Sequence, residues 1–69
     1  MTIHQENQKR ALELANRIAA ALREYEDIEE AMVYQYAAAE EATIFVSIPG
    51  PPGKETIRFG VHVRPDTRF

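Results

Sequence analysis

The sequence predicts an α+β fold in which one N-terminal amphipathic helix packs on a three-stranded antiparallel β-meander. Three observations point there. Apolar residues recur with helical period over residues 3–25, residues 56–64 alternate strictly between apolar and polar, and a Pro/Gly run separates that alternation from a short apolar stretch at 43–48. A chain of 69 residues has room for one small domain, 1–69, and for no second fold.

The helix is the clearest element. Ala11, Leu14, Ala15, Ile18, Leu22 and Tyr25 share one stripe at 100° per residue, with Lys9, Glu13, Asn16, Arg17 and Glu24 opposite. Thr2 and Gln5 have the spacing of a capping box, in which hydroxyl and amide each satisfy a backbone N–H left free at the helix start. Glu6 and Arg10, and Glu13 and Arg17, are i,i+4 pairs in the favourable orientation.

Residues 31–37 admit two readings. Met32-Val33-Tyr34-Gln35-Tyr36 is rich in β-branched and aromatic residues and alternates as a strand would. Paired with the next strand, it would place Met32, Tyr34 and Tyr36 on the core face with Ile44, Val46 and Ile48, and turn Gln35 outward. The alternative is a second helix running through Ala37-Ala38-Ala39, giving an α-hairpin followed by a β-hairpin. Against it, Glu40 and Glu41 would then sit at a helix C-terminus, where the macrodipole opposes negative charge. Strands follow at 43–48 and 56–64, the second with Ile57, Phe59, Val61 and Val63 on one face. Pro49-Gly50-Pro51-Pro52-Gly53 supplies the reversal between them, and Pro65 stops the last strand.

The net charge of −3 conceals a segregation. Residues 1–23 and 42–69 each carry a net +2, the latter through Lys54, Arg58, Arg64 and Arg68, whereas residues 24–41 carry −7 with no Lys or Arg. Glu24, Glu26, Asp27, Glu29 and Glu30 fall within seven residues at the end of the predicted helix. The macrodipole makes each unfavourable there by about a few tenths of a kcal/mol, so stability does not account for them. Either solvation of the charges, as on an ordinary exposed helix end, or an electropositive partner does.

Chemistry is sparse. Cysteine is absent, which excludes disulfides, thiolate zinc sites and cysteine nucleophiles and predicts a reducing, cytoplasmic setting. The apolar stretch 11–22 is broken by Glu13, Asn16 and Arg17, so neither a signal peptide nor a membrane span is expected. Gly50 and Gly53-Lys54 lack both the spacing and the following Ser or Thr of a phosphate-binding loop. His4 and His62 lie far apart with no ligand spacing around them, and no serine sits on a glycine elbow. No catalytic residue, metal or cofactor is expected.

The expectation is therefore a small non-enzymatic binding or inhibitor protein, docking an acidic surface on a basic, nucleic-acid-binding protein partner. Glu24, Glu26, Asp27, Glu29 and Glu30 would carry the contact with Glu40 and Glu41, and Tyr25 would serve as an aromatic anchor. In size and charge alone the chain resembles phage-encoded inhibitors of nucleic-acid-binding defence complexes, anti-CRISPR proteins among them; no residue motif carries that likeness. A different class of function is a sheet-face binder of single-stranded nucleic acid. In that reading Phe45 projects away from the helix, across from Gly60 and beside Gln35, with Arg58, His62 and Arg64 near it. The net negative charge weighs against nucleic acid. A third reading is a structural subunit of a larger assembly, and a core this small also predicts a homodimer.

Overall fold

The computed structural model describes residues 2–66; Arg68, counted above in the basic C-terminal segment, lies outside them. Helix α1 (Ile3–Leu22) is followed by strands β1 (Glu30–Tyr34), β2 (Ala42–Ile48) and β3 (Ile57–Val63), which form one antiparallel sheet in the order β1-β2-β3. This is the predicted helix on a β-meander. The helix starts at the expected capping box: Thr2 Oγ1 accepts from the Gln5 N–H at 3.1 Å, and the Thr2 N–H donates to Gln5 Oε1 at 2.9 Å. Glu6 and Arg10 pair at 2.7 Å.

Three differences from the sequence reading have physical causes. The helix ends at Leu22 rather than near Tyr25, because the chain tightens into i→i+3 bonds from Glu24 N–H to Ala21 O and from Tyr25 N–H to Leu22 O. Each further helical turn would have stacked more carboxylates on the negative end of the dipole.

The buried stripe of α1 is also narrower and smaller than expected. Ala11, Ala15 and Ala19 are buried, Ile18 and Leu22 pack beside them, and Leu14 and Tyr25 are exposed. Alanines at every fourth position let the helix lie close on the sheet.

Strand β1 shows its other face. Ala31 pairs with Val46 and Val33 with Ile44, so Ala31 and Val33 face the helix, whereas Met32, opposite Phe45, and Tyr34, opposite Thr43, face away. A shift of one residue inverts a strand. Here the close approach of α1 decides the choice, since a methyl fits beneath the helix and a tyrosine does not. Gln35, expected outward, instead donates from Nε2 to Gln8 O on α1 at 2.8 Å.

Strands β2 and β3 pair as expected, with Ile48 opposite Ile57, Val46 opposite Phe59, Ile44 opposite Val61 and Ala42 opposite Val63. In the Pro/Gly connection the Lys54 N–H donates to Pro51 O at 2.8 Å, and Gly53 takes φ +80°, a left-handed conformation that glycine adopts without a Cβ penalty. A Cβ on Gly50 would stand 2.2 Å from Glu55 O, so the closure of this turn requires glycine there too.

The helix lies over β1 and β2 and touches β3 least. On the helix-facing side of β3 only Val63 packs against the core; Ile57, Phe59 and Val61 remain 47%, 51% and 39% exposed. The core itself is built from Ala11, Ala15, Ala19, Ala31, Ala42, Ile44 and Val46, with Ile44 its one large fully buried side chain.

Candidate binding surface

Among the described residues, no element covers the side of the sheet away from α1. Its surface is set by the strand registers: Glu30, Met32 and Tyr34 from β1, Thr43, Phe45 and Ser47 from β2, Arg58, Gly60 and His62 from β3. Met32 (50% exposed) and Phe45 (37%) stand opposite each other across the β1–β2 pair, and Tyr34 (48%) is diagonal to Phe45. Tyr36, just past the strand, meets Tyr34 edge to face with ring centroids 4.8 Å apart. These side chains form one continuous aromatic and thioether patch. Large apolar groups left together on a small domain mark contact surfaces more often than isolated exposed ones do.

Of the residues expected at a sheet-face site, Phe45 lies opposite Gly60 as expected, but its neighbour on β1 is Met32 and not Gln35. Arg58 is opposite Ser47 on the same face. His62 Nδ1 lies 3.2 Å from Thr43 Oγ1 and 3.3 Å from Glu41 Oε1, and Glu41, His62 and Arg64 line an open groove of about 450 Å³ at that end of the sheet.

The acidic residues are divided between two ends of the molecule. Glu24, Tyr25, Glu26, Asp27, Glu29 and Glu30 are exposed where α1 passes into β1. The Glu29 N–H donates to Ser47 O, and Glu29 Oε2 accepts from Thr56 Oγ1 at 3.2 Å, which ties this turn to the sheet. Among the described residues, Glu24, Glu26, Asp27 and Glu30 have no ion-pair partner, so their charge is unopposed. Glu30 is the corner at which the acidic turn meets the aromatic face.

Glu40 and Glu41 belong to the opposite end, separated from that turn by about the 30 Å length of a 20-residue helix. Both have local partners. Glu40 holds the His4 ring through Oε1 and accepts from Asn7 Nδ2 at 3.1 Å through Oε2, while His4 Nε2 lies 2.8 Å from Ala38 O. With an acceptor at each ring nitrogen, the imidazolium is favoured. The Ala38 carbonyl first, then the Glu40 carboxylate, raise the His4 pKa above the ordinary 6.5, and hydrogen bonds from His4 and Asn7 lower that of Glu40. This clasp fastens the β1–β2 connection to the helix start. It engages one of the carboxylates expected to meet a partner.

The large apolar members Met32, Tyr34 and Tyr36 are the part of this surface that sequence reasoning assigned to the core. One signal for them was present: a helix stripe of Ala11, Ala15 and Ala19 leaves little height above the sheet, and of the two faces of β1 only that of Ala31 and Val33 is small enough to lie beneath it. No helix is long and apolar enough to cross a membrane, and no group of three or more potential metal ligands occurs among the described residues. The chain matches no family model, no curated protein and no solved structure.

Proposed function

We propose that this chain is a small non-enzymatic binding protein that acts by occupying a surface on a larger, basic protein. The observation that carries the reading is the sheet face away from α1, where Met32, Tyr34 and Phe45 stand together and run through Glu30 into an acidic turn whose Glu24, Glu26, Asp27 and Glu30 have no ion-pair partner among the described residues. An apolar centre of aromatic and methionine side chains bounded by a charged rim is the anatomy of a protein–protein contact. The aromatic side chains would supply the desolvated anchor. Glu24, Glu26, Asp27, Glu29 and Glu30 would steer a Lys- and Arg-rich surface toward it and fix its orientation. If that surface normally holds nucleic acid, binding here inhibits by competition. Glu40 and Glu41 are left out of the contact, because His4, Asn7 and His62 already engage them. The absence of cysteine fits a cytoplasmic place of action.

Immobilised chain tests this, with wild type beside Tyr34→Ala/Phe45→Ala and beside Glu26→Gln/Asp27→Asn/Glu29→Gln. The expected result is a protein retained by wild type, released by added salt and lost from both variants. A partner retained equally by all three overturns the reading.

A second reading rests on Arg58, His62 and Arg64, which give the same face a basic border along β3. Bases of a single strand could stack on Phe45 and Tyr34 with phosphates along that border. Fluorescence anisotropy with labelled single-stranded RNA and DNA separates the two: binding at low salt that Arg58→Glu abolishes favours nucleic acid, and no binding favours the protein partner.

A further inference from the structure

We propose that His4 is a proton-operated latch on the β1–β2 connection: as an imidazolium it holds Ala38 in a left-handed conformation and Tyr36 against Tyr34, and as a neutral imidazole it releases them. The ring faces two acceptors. Nδ1 lies against Glu40 Oε1, and Nε2 is 2.8 Å from the Ala38 carbonyl oxygen. Both contacts are hydrogen bonds only when both nitrogens carry a proton, which is the charged form. A neutral ring has one N–H, so whichever nitrogen keeps it, the other sets a lone pair against an oxygen. The carboxylate is the stronger acceptor, so neutral His4 keeps the proton on Nδ1 and the bond to Ala38 is the one that breaks.

That bond restrains a strained turn. Among the described residues other than glycine, Ala38 alone has a positive φ, +66°. The Cβ of an alanine disfavours this conformation, and surrounding contacts have to maintain it. His4 supplies one such contact at the Ala38 carbonyl, and the Ala39 N–H donates to Tyr36 O at 3.1 Å. The same turn therefore carries Tyr36, whose ring meets Tyr34 edge to face at the end of the outer sheet face. The movement is local, because the connection is fastened on both sides by contacts that need no charge on His4. Gln35 Nε2 donates to Gln8 O at 2.8 Å, and Glu41 Oε1 lies 3.3 Å from His62 Nδ1, which can donate from a neutral ring.

The groups around the ring set the direction of the switch. Among the described residues, Glu40 is the charged group that faces His4 from the connection. Glu41 is turned to His62, Glu6 pairs with Arg10, and Asn7 and Gln8, one turn along α1, are neutral. The positive end of the α1 dipole opposes an imidazolium here. The Ala38 carbonyl first, then the Glu40 carboxylate, outweigh it and raise the His4 pKa above 6.5. The latch is thus closed below that raised value and opens as pH rises through it. On the acid side it stays closed until Glu40, whose pKa is lowered from 4.5, takes up a proton. Tyr34 belongs to the surface proposed above for a basic partner, so partner binding would follow the latch; this consequence rests on that reading, whereas the latch does not.

Nuclear magnetic resonance of the full chain without any partner, from about pH 5 to about pH 9, tests the proposal. The His4 ring, the Ala38 and Ala39 amides and the Tyr36 ring should titrate with one midpoint, above 6.5. Above that midpoint the Ala39 amide should lose protection by roughly two- to tenfold, the effect of one net hydrogen bond, once the intrinsic pH dependence of exchange is removed. In His4→Gln the midpoint should vanish from Ala38, Ala39 and Tyr36, and in His62→Gln it should remain, with circular dichroism confirming that both variants are folded. A His4 ring that titrates while Ala38 and Tyr36 stay still overturns the proposal. So does a Tyr36 response that survives His4→Gln or disappears in His62→Gln. Because no partner is present, failure here leaves the partner reading standing, and failure to capture a partner leaves the latch standing.

Discussion

Strands β2 and β3 lie side by side, seven residues each, and both alternate apolar residues toward the helix, yet almost every residue of β2 is buried and almost every residue of β3 is exposed. What differs is the layer above them. A single helix of 20 residues covers about two strands, and α1 covers β1 and β2. The same alternation thus makes core in one place and open surface in the other. Alternation reports which side chains share a face; whether that face is covered depends on how many elements are available to cover it.

The comparison breaks most easily through size deletions. Ile44→Ala, which empties the one large fully buried position, should cost about 2–5 kcal/mol and leave the chain largely unfolded. Phe59→Ala, on the opposing strand, should cost less than about 1 kcal/mol in dilute solution. Urea unfolding of the two variants measures both, and equal losses would mean that β3 is as much a part of the core as β2. Next in size is overpacking. Ala15→Leu beneath the helix should cost about 1–3 kcal/mol by forcing α1 off the sheet, whereas Leu14→Ala on the half-exposed flank should change the melting midpoint little.

The same geometry explains which parts of the molecule were legible in the sequence. α1 and its cap, the Pro/Gly turn and the pairing of β2 with β3 rest on local signals: a period, a capping pair, an obligatory glycine. The face of β1 does not. Met32-Val33-Tyr34 alternates equally well in either orientation, and its larger side chains favour the core on hydrophobicity alone; the height of an alanine-faced helix, a property of another segment, reverses that choice. The candidate surface divides in the same way. The acidic turn is legible as a block of charge, but its separation from Glu40 by the length of α1, about 30 Å, is not, and Glu40 meets His4 across 36 positions of sequence.

A smaller effect concerns the two ends of the covered half. At the His4 end, the raised His4 pKa adds stability that is fully present below 6.5 and lost as pH rises through the raised value. The lowered Glu40 pKa adds stability that is present above 4.5 and lost as pH falls through the lowered value. The clasp should therefore contribute most between those two ordinary values and weaken on the alkaline side. Melting temperatures across that range should show it, and His4→Gln should flatten the profile; a profile unchanged by the substitution would show that the clasp adds nothing. At the acidic end, replacing Glu26, Asp27 and Glu29 by Gln, Asn and Gln should leave stability the same or slightly higher, as repulsion and the opposing dipole are relieved. A loss above about 1 kcal/mol would give those carboxylates a structural role instead. The smallest expected effect is that of Lys54→Ala in the exposed turn, which should alter neither melting nor partner binding.

Helix α1 and strands β1 and β2 carry the packed core, and β3 is the strand that the helix covers least. Backbone hydrogen exchange resolved by strand tests this division most directly. β2 amides should exchange slowest. β3 amides should open at lower free energy than those of β2. Equal protection of β2 and β3 would contradict the claim.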